Sequence, residues 1–211
     1  FALSGFGAYL LAKFVIRNSK FKIQNSDFIS LGAFAAGALY AFSSNKFLYA
    51  SLGQFNIASS HWIPFYLLFL LKLAPTEESK IENRKSKIVI GFLLGLFLLF
   101  QALSEFIYAS FLIIFTVLYL IYWLMAHRFR PPSREAVLRL PSFVIGAVVF
   151  LIPMSPILAA MIQDMATEGD FIQRGLGFAD VFSSDALGFF VPNHLHPVLG
   201  NLEAQFHFAY I

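Results

Sequence analysis

The sequence predicts an all-α fold, a polytopic transmembrane helical bundle of about six spans with an extracytoplasmic C-terminal segment. Three observations favour this class. The 211-residue chain is 58% hydrophobic and 13% charged, with a mean hydropathy of +0.72. A soluble domain averages about 25% charged residues. One apolar run, residues 88–126, contains a single charged side chain, Glu105. The basic residues, finally, are sorted into alternate loops.

This sorting of charge sets the predicted topology. Of the 15 Lys and Arg residues, 12 lie in three short polar segments. These segments are residues 17–22, 72–87 and 128–139. Short basic loops stay on the cytoplasmic side of a membrane, which predicts an integral membrane protein. The surplus cations then mark topology and attract membrane lipid. Nucleic acid is not an expected partner, because the position of the surplus cations beside the ends of the predicted spans accounts for them.

The spans follow from this topology and from the length of a membrane helix, about 20 residues. The predicted spans are residues 1–16, 28–42, 57–73, 88–103, 106–126 and 141–162. The fourth and fifth spans form a hairpin that turns at Glu105. The second and third spans are short, which suggests tilt or interfacial extension. Both ends of the chain are apolar, so we expect a fragment of a longer membrane protein.

Two domains follow from this reading. Residues 1–162 form the transmembrane region, and residues 163–211 form a truncated extracytoplasmic loop with a short interfacial helix. Within the first region, Gly91 and Gly95 make a GxxxG pair that predicts close helix packing. Pro153 and Pro156 predict a kink in the sixth span.

Two groups of polar residues are candidates at the outer ends of the spans. Glu105 is either a catalytic carboxylate facing an outward cavity or a solvated hairpin residue at the interface. The second group precedes the apolar part of the third span, and it either binds substrate or anchors the chain at the membrane surface. Its members are Gln54, Asn56, His61 and Trp62.

The C-terminal segment holds a further set of acids and histidines. Asp185, His196 and Glu203 are candidate catalytic residues, and His194 with His196 are candidate metal ligands. Their spacing matches no recognised zinc signature. We therefore expect this loop to face a phosphate-bearing lipid with its divalent cation, Mg²⁺ or Mn²⁺.

Three stretches resemble one family of bacterial membrane proteins. Residues 4–13, SGFGAYLLAK, resemble the SGxGAYLLAR helix of YfhO-type proteins, members of the C-type (GT-C) glycosyltransferase superfamily. Residues 37–43, 52–56 and 61–64 resemble its AFSP…GHxN…xWxP stretch. Residues 185–200 are similar to its DLLGFFxPSPLHPLxG segment. In this chain Gln54 stands where the group often has His, and Asn193-His194 replaces Ser-Pro.

The resemblance implies a polytopic enzyme that transfers a sugar from a polyprenyl-phosphate donor on the extracytoplasmic side. It also implies a catalytic acid upstream of Phe1. Asp185, His196 and Pro197 match residues of the family's segment, but the resemblance assigns them no roles. Two other functions are compatible with the residues alone. A transporter or lipid flippase would use Glu105 and a break at Pro153 and Pro156. A non-catalytic membrane scaffold would need helix packing only.

Overall fold

The computed structural model describes residues 1–19, 25–73, 84–126 and 140–168, and all regular secondary structure in these ranges is helical. The predicted all-α fold is confirmed for this part of the chain. The helices are α1 (Ala2–Arg17), α2 (Ser26–Ala41), α3 (Ser44–Ser51), α4 (Phe55–Ala58), α5 (Ile63–Leu73), α6 (Arg84–Ser104), α7 (Phe106–Ala126) and α8 (Leu140–Glu168).

Two of these helices are long and apolar enough to cross a membrane. They are residues Lys85–Ser104 of α6 and Leu140–Thr167 of α8. A third apolar stretch, Phe106–Tyr122 of α7, is shorter. These lengths and compositions are compatible with an integral membrane protein. The chain divides into two compact units, Phe1–Ala159 and Ala160–Ile211, and only the end of α8 is described in the second unit.

The third predicted span has a different structure from the one expected. Residues 57–73 were predicted as one helix, but α4 ends at Ala58 and α5 begins at Ile63. Pro64 explains the late start, because proline fits the first turn of a helix and lacks the amide hydrogen needed further inside. The resulting α5 has 11 residues. At about 1.5 Å per residue, it is shorter than the hydrocarbon core of a bilayer.

Small residues bring α1 close to α2 and α5. Gly5 lies against Gly37 and Ala41, which makes α1 and α2 antiparallel. A Cβ atom on Gly7 would lie 2.7 Å from the Phe65 ring, so glycine is needed where α1 meets α5. Ala33 is fully buried on the same face of α2 as Gly37. Small residues at these two positions of α2 therefore form part of its packed face.

The GxxxG pair of α6 packs against α8. A Cβ atom on Gly91 would collide with the backbone of Ser142, and one on Gly95 would collide with the backbone of Gly146. Without side chains at these two positions, the two backbones come into direct contact, as in other small-residue helix pairs.

The prolines of α8 do not interrupt the helix, which runs unbroken from Leu140 to Glu168. Pro156 has no amide hydrogen for the carbonyl of Ile152, four residues earlier. The Ser155 hydroxyl donates to that carbonyl at 2.8 Å and so replaces part of the missing bonding. The helix therefore continues through Pro153 and Pro156, where the transporter hypothesis expected a break.

The first unit has two ends of different character. At one end, Lys72 of α5 lies near Phe14 of α1, and the start of α6 lies near the start of α8. These helix ends adjoin the three basic segments of the sequence, and we call them the basic end. At the other end, residues 40–62 meet residues 101–108 of the α6–α7 hairpin. We call these two ranges together the polar cap.

Candidate functional site

Side chains of the α6–α7 hairpin fasten α4 and Ser59, the residue that follows it, in the polar cap. Each bond joins a hairpin residue to a residue more than 40 positions earlier in the chain, so this segment is held by tertiary contacts. The bonds are Asn56 Nδ2 to Glu105 Oε2 at 2.7 Å, Gln101 Nε2 to the Ser59 carbonyl at 2.9 Å, and Tyr108 Oη to the Ile57 carbonyl at 2.8 Å.

Glu105 is half-buried, and both of its carboxylate oxygens are used. Oε2 accepts from Asn56, and Oε1 accepts the amide of Ile107 at 3.3 Å. The second bond caps the N-terminus of α7, where a negative charge is favourable. The structure thus gives Glu105 a capping role and a bond to Asn56 at the same time. Its catalytic role stays a prediction.

His61 and Trp62 lie just before α5, outside the helices. The Trp62 ring packs at 5.0 Å from Phe100 and 5.7 Å from Phe97, and the His61 ring lies 4.8 Å from Trp62. This aromatic contact fixes the start of α5 against the end of α6. Burial lowers the pKa of His61 below its ordinary value of 6.5, and the positive charge of Lys46 lowers it further. His61 is therefore neutral at pH 7.

Lys46 is the member of the polar cap that sequence reasoning missed. Its side chain is only 5% exposed, and its amine lies 4.2 Å from the centre of the Tyr40 ring. Within the described ranges, Nζ has no hydrogen-bond partner. Burial lowers the pKa of Lys46 from 10.5 to about 8. The one available signal in the sequence was its position as a lysine far from the three basic segments.

Tyr40 connects this lysine to the rest of the polar cap. Its hydroxyl donates to the carbonyl of Ser60 at 2.7 Å, which ties the end of α2 to the segment before α5. The polar cap therefore joins a buried amine, a neutral imidazole and a half-buried carboxylate on one connected framework.

Of the other predicted site residues, Gln54 belongs to the described part of the chain and the rest do not. Gln54 is exposed and its side chain makes no capping bond to α4. Asp185, His194, His196 and Glu203 lie outside the described residues, and so does Pro197. In the part of the chain that is described, no group of three or more His, Asp or Glu side chains is placed to hold a metal ion.

Comparison of the chain with protein-family models, with curated proteins and with solved structures finds no match. The class of protein is defined by its fold and site alone. In its described residues it is all-helical, with two candidate membrane-spanning helices and a polar cap at one end of its first unit.

Asn56→Ala is expected to lower the free energy of unfolding by about 1 kcal/mol, because it removes a hydrogen bond to a half-buried carboxylate. Chemical unfolding of the protein in nanodiscs measures the change. Gln54→Ala is the matched control, since it removes a neighbouring exposed amide that does not cap α4. Equal losses in the two variants would show that the Asn56–Glu105 bond contributes nothing to stability.

The lowered pKa of Lys46 predicts a pH dependence of stability. Between about pH 8 and pH 10.5 the unfolded chain holds a proton on this amine that the folded chain has released. Stability from this group therefore rises with pH across that window. In Lys46→Met the rise is absent, and at neutral pH the variant is more stable than the wild type by about 2 kcal/mol. Unfolding midpoints of both proteins across the window test this, and parallel pH profiles would contradict it.

Proposed function

We propose that this chain is part of an integral membrane glycosyltransferase of the bacterial plasma membrane. In this proposal α1, α2, α5, α6, α7 and α8 are the six spans, with α2 and α5 tilted or extended at the interface. The antiparallel α1–α2 pair and the α6–α7 hairpin support alternating directions. The basic end faces the cytoplasm, and the polar cap and residues 163–211 face the extracytoplasmic side.

The reaction is the transfer of a sugar from a polyprenyl-phosphate donor, as the resemblance to YfhO-type proteins implies. A hydroxyl oxygen of the acceptor forms a bond to the anomeric carbon of the sugar. The bond from that carbon to the phosphate oxygen breaks, and polyprenyl phosphate leaves with the electron pair. A carboxylate takes the proton of the acceptor hydroxyl, and a divalent cation or a basic group neutralises the phosphate.

One observation carries the proposal. The polar cap joins Glu105 to Asn56 and places Lys46 on the same framework, at the end of the bundle opposite the basic segments. A buried ionisable group in a membrane protein is a candidate for a functional site, because its burial is costly. Asp185, His196 and Glu203 are proposed to act on the same side, with Mg²⁺ or Mn²⁺ as the cation.

The test is a transfer assay with the full-length protein in proteoliposomes and a radiolabelled polyprenyl-phosphate sugar. We expect label to appear in an acceptor, and we expect Asp185→Ala to reduce that transfer. Absence of transfer from every polyprenyl-phosphate donor, with an unchanged phenotype of Asp185→Ala, would refute the proposal. Movement of a solute or lipid across the same vesicles without sugar transfer would identify a transporter or flippase instead.

A further inference from the structure

The buried amine of Lys46 in the polar cap has no hydrogen-bond partner among the described residues. Moving an ammonium group out of water costs several kcal/mol unless a counter-charge or hydrogen bonds replace the lost solvation. In Lys46 the Tyr40 ring supplies one favourable contact, at 4.2 Å. A cation–π contact is worth about 0.5–2 kcal/mol, which is less than the cost. The three N–H donors of the amine also remain without acceptors among the described residues.

The surroundings of Lys46 favour an anion that comes from outside the described framework. Glu105, the carboxylate of this cap, already accepts from Asn56 and from the amide of Ile107. The Tyr40 hydroxyl is also committed, to the carbonyl of Ser60. The positive charge of Lys46 contributes to the lowered pKa of His61, and a neutral imidazole has one ring N–H available as a donor. The cap thus offers donors from Lys46 and His61 and no free carboxylate of its own for them.

The exposed apolar side chains next to Lys46 indicate which class of anion it binds. The same short helix α3 that carries Lys46 exposes Phe47 and Leu48, and Leu52 follows it directly. Apolar side chains beside a basic group are typical of helices at the boundary between headgroups and acyl chains. The anionic groups at that boundary are phosphates.

We propose that Lys46 binds a phosphate group at the polar cap. The phosphate oxygens accept from the amine, which also lies 4.2 Å from the centre of the Tyr40 ring. The identification of this phosphate with that of a lipid-linked sugar donor rests on the proposed function. The binding of phosphate itself does not depend on sugar transfer.

The experiment uses the whole chain in nanodiscs of digalactosyl diacylglycerol, whose headgroup carries no phosphate, with inorganic phosphate as the probe and chloride at equal ionic strength as the reference. Phosphate is expected to raise the unfolding temperature of the wild type and to give a measurable Kd by calorimetry. Lys46→Met is expected to weaken phosphate binding at least about tenfold, a change of about 1.4 kcal/mol. Lys46→Arg keeps the charge and is expected to keep most of the binding.

Lys13→Met is the matched control. Lys13 also lies beside a tyrosine ring, 5.3 Å from the centre of Tyr9, but its amine has a hydrogen-bond partner in the Tyr9 hydroxyl at 3.0 Å. Phosphate binding is expected to be unchanged in this variant. Equal binding in Lys46→Met and in the wild type would overturn the inference, and so would equal losses in both lysine variants.

A second measurement needs no variant and covers the case in which Lys46→Met fails to fold. An amine-acylating reagent is applied to the wild type, and the acylation of each lysine is followed by mass spectrometry. Phosphate is expected to slow the acylation of Lys46 several-fold relative to chloride and to leave Lys13 unaffected. An acylation rate of Lys46 that phosphate does not change would overturn the inference.

Nanodiscs that contain phosphatidic acid separate a lipid headgroup from free phosphate. If the headgroup occupies the site, Lys46 is protected before phosphate is added, and inorganic phosphate has no further effect. If only free phosphate binds, protection appears on its addition in both membranes. Phosphate binding without sugar transfer by the full-length protein would refute the proposed function alone. Sugar transfer with phosphate binding insensitive to Lys46→Met would refute the inference alone.

Discussion

Gly95→Ala is expected to destabilise the protein by about 2–3 kcal/mol, although alanine is the better helix former. A Cβ atom at this position would collide with the backbone of Gly146, so α8 must move away from α6. Forcing an extra carbon into a closely packed contact costs about 1–3 kcal/mol, and here the neighbour is backbone and cannot rotate aside. Reversible unfolding in mixed micelles measures the loss.

Gly32→Ala is the control for this prediction, and its expected effect has the opposite sign. A Cβ atom on Gly32 would meet only the end of the Ile16 side chain, at 3.4 Å, which is ordinary contact. The substitution therefore keeps the gain in helix propensity, about 0.5–1 kcal/mol. If both variants were stabilised to the same extent, the contact between α6 and α8 would not contribute to the fold.

Glu105→Gln is expected to reduce sugar transfer by the full-length protein about a hundredfold, the usual effect of losing an acid–base group. The glutamine has the same shape and keeps an oxygen that accepts from Asn56 or from the amide of Ile107. The fold should therefore persist while the negative charge is lost. Separate measurement of kcat and KM shows whether the loss falls on the chemical step, where a proton-accepting role places it.

Asp27→Asn is the control for the loss of a carboxylate. Asp27 lies in the first turn of α2, at the basic end of the bundle, and should not affect transfer. If Glu105→Gln also leaves kcat and KM unchanged, Glu105 acts only as the cap of α7. In that case the catalytic carboxylate must be sought elsewhere, with Asp185 and Glu203 as the next candidates.

Local patterns in the sequence predicted the helices whose residues form long apolar runs. The hairpin at Glu105 was predicted with its fourth span ending at Leu103 and its fifth beginning at Phe106, and the structure has helix ends at Ser104 and Phe106. Hydrophobicity and one charged residue were sufficient there. The start of the 57–73 span was wrong, because α5 begins only at Ile63, where Pro64 fits the first turn of the helix.

Contacts between distant parts of the chain could not be predicted in the same way. The GxxxG pair predicted close packing of α6, but its partner, Ser142 and Gly146 of α8, follows only from the tertiary arrangement. The sequence placed Glu105 and Asn56 at outer helix ends, but the hydrogen bond between them follows only from the tertiary arrangement. The burial of Lys46 was invisible for the same reason, since a lone lysine in a polar segment is normally solvated.

The central claim is that the polar cap and the basic end lie on opposite sides of a membrane, with the polar cap outside. The chain contains no cysteine, so single-cysteine variants report on one position each. Gln54 lies in the polar cap and Ser86 lies at the start of α6, and both are exposed.

We therefore choose Gln54→Cys and Ser86→Cys, treated with a membrane-impermeant maleimide in intact cells. The account predicts labelling of Gln54→Cys in intact cells and of Ser86→Cys only after permeabilisation. Labelling of both in intact cells, or of Ser86→Cys alone, would contradict it.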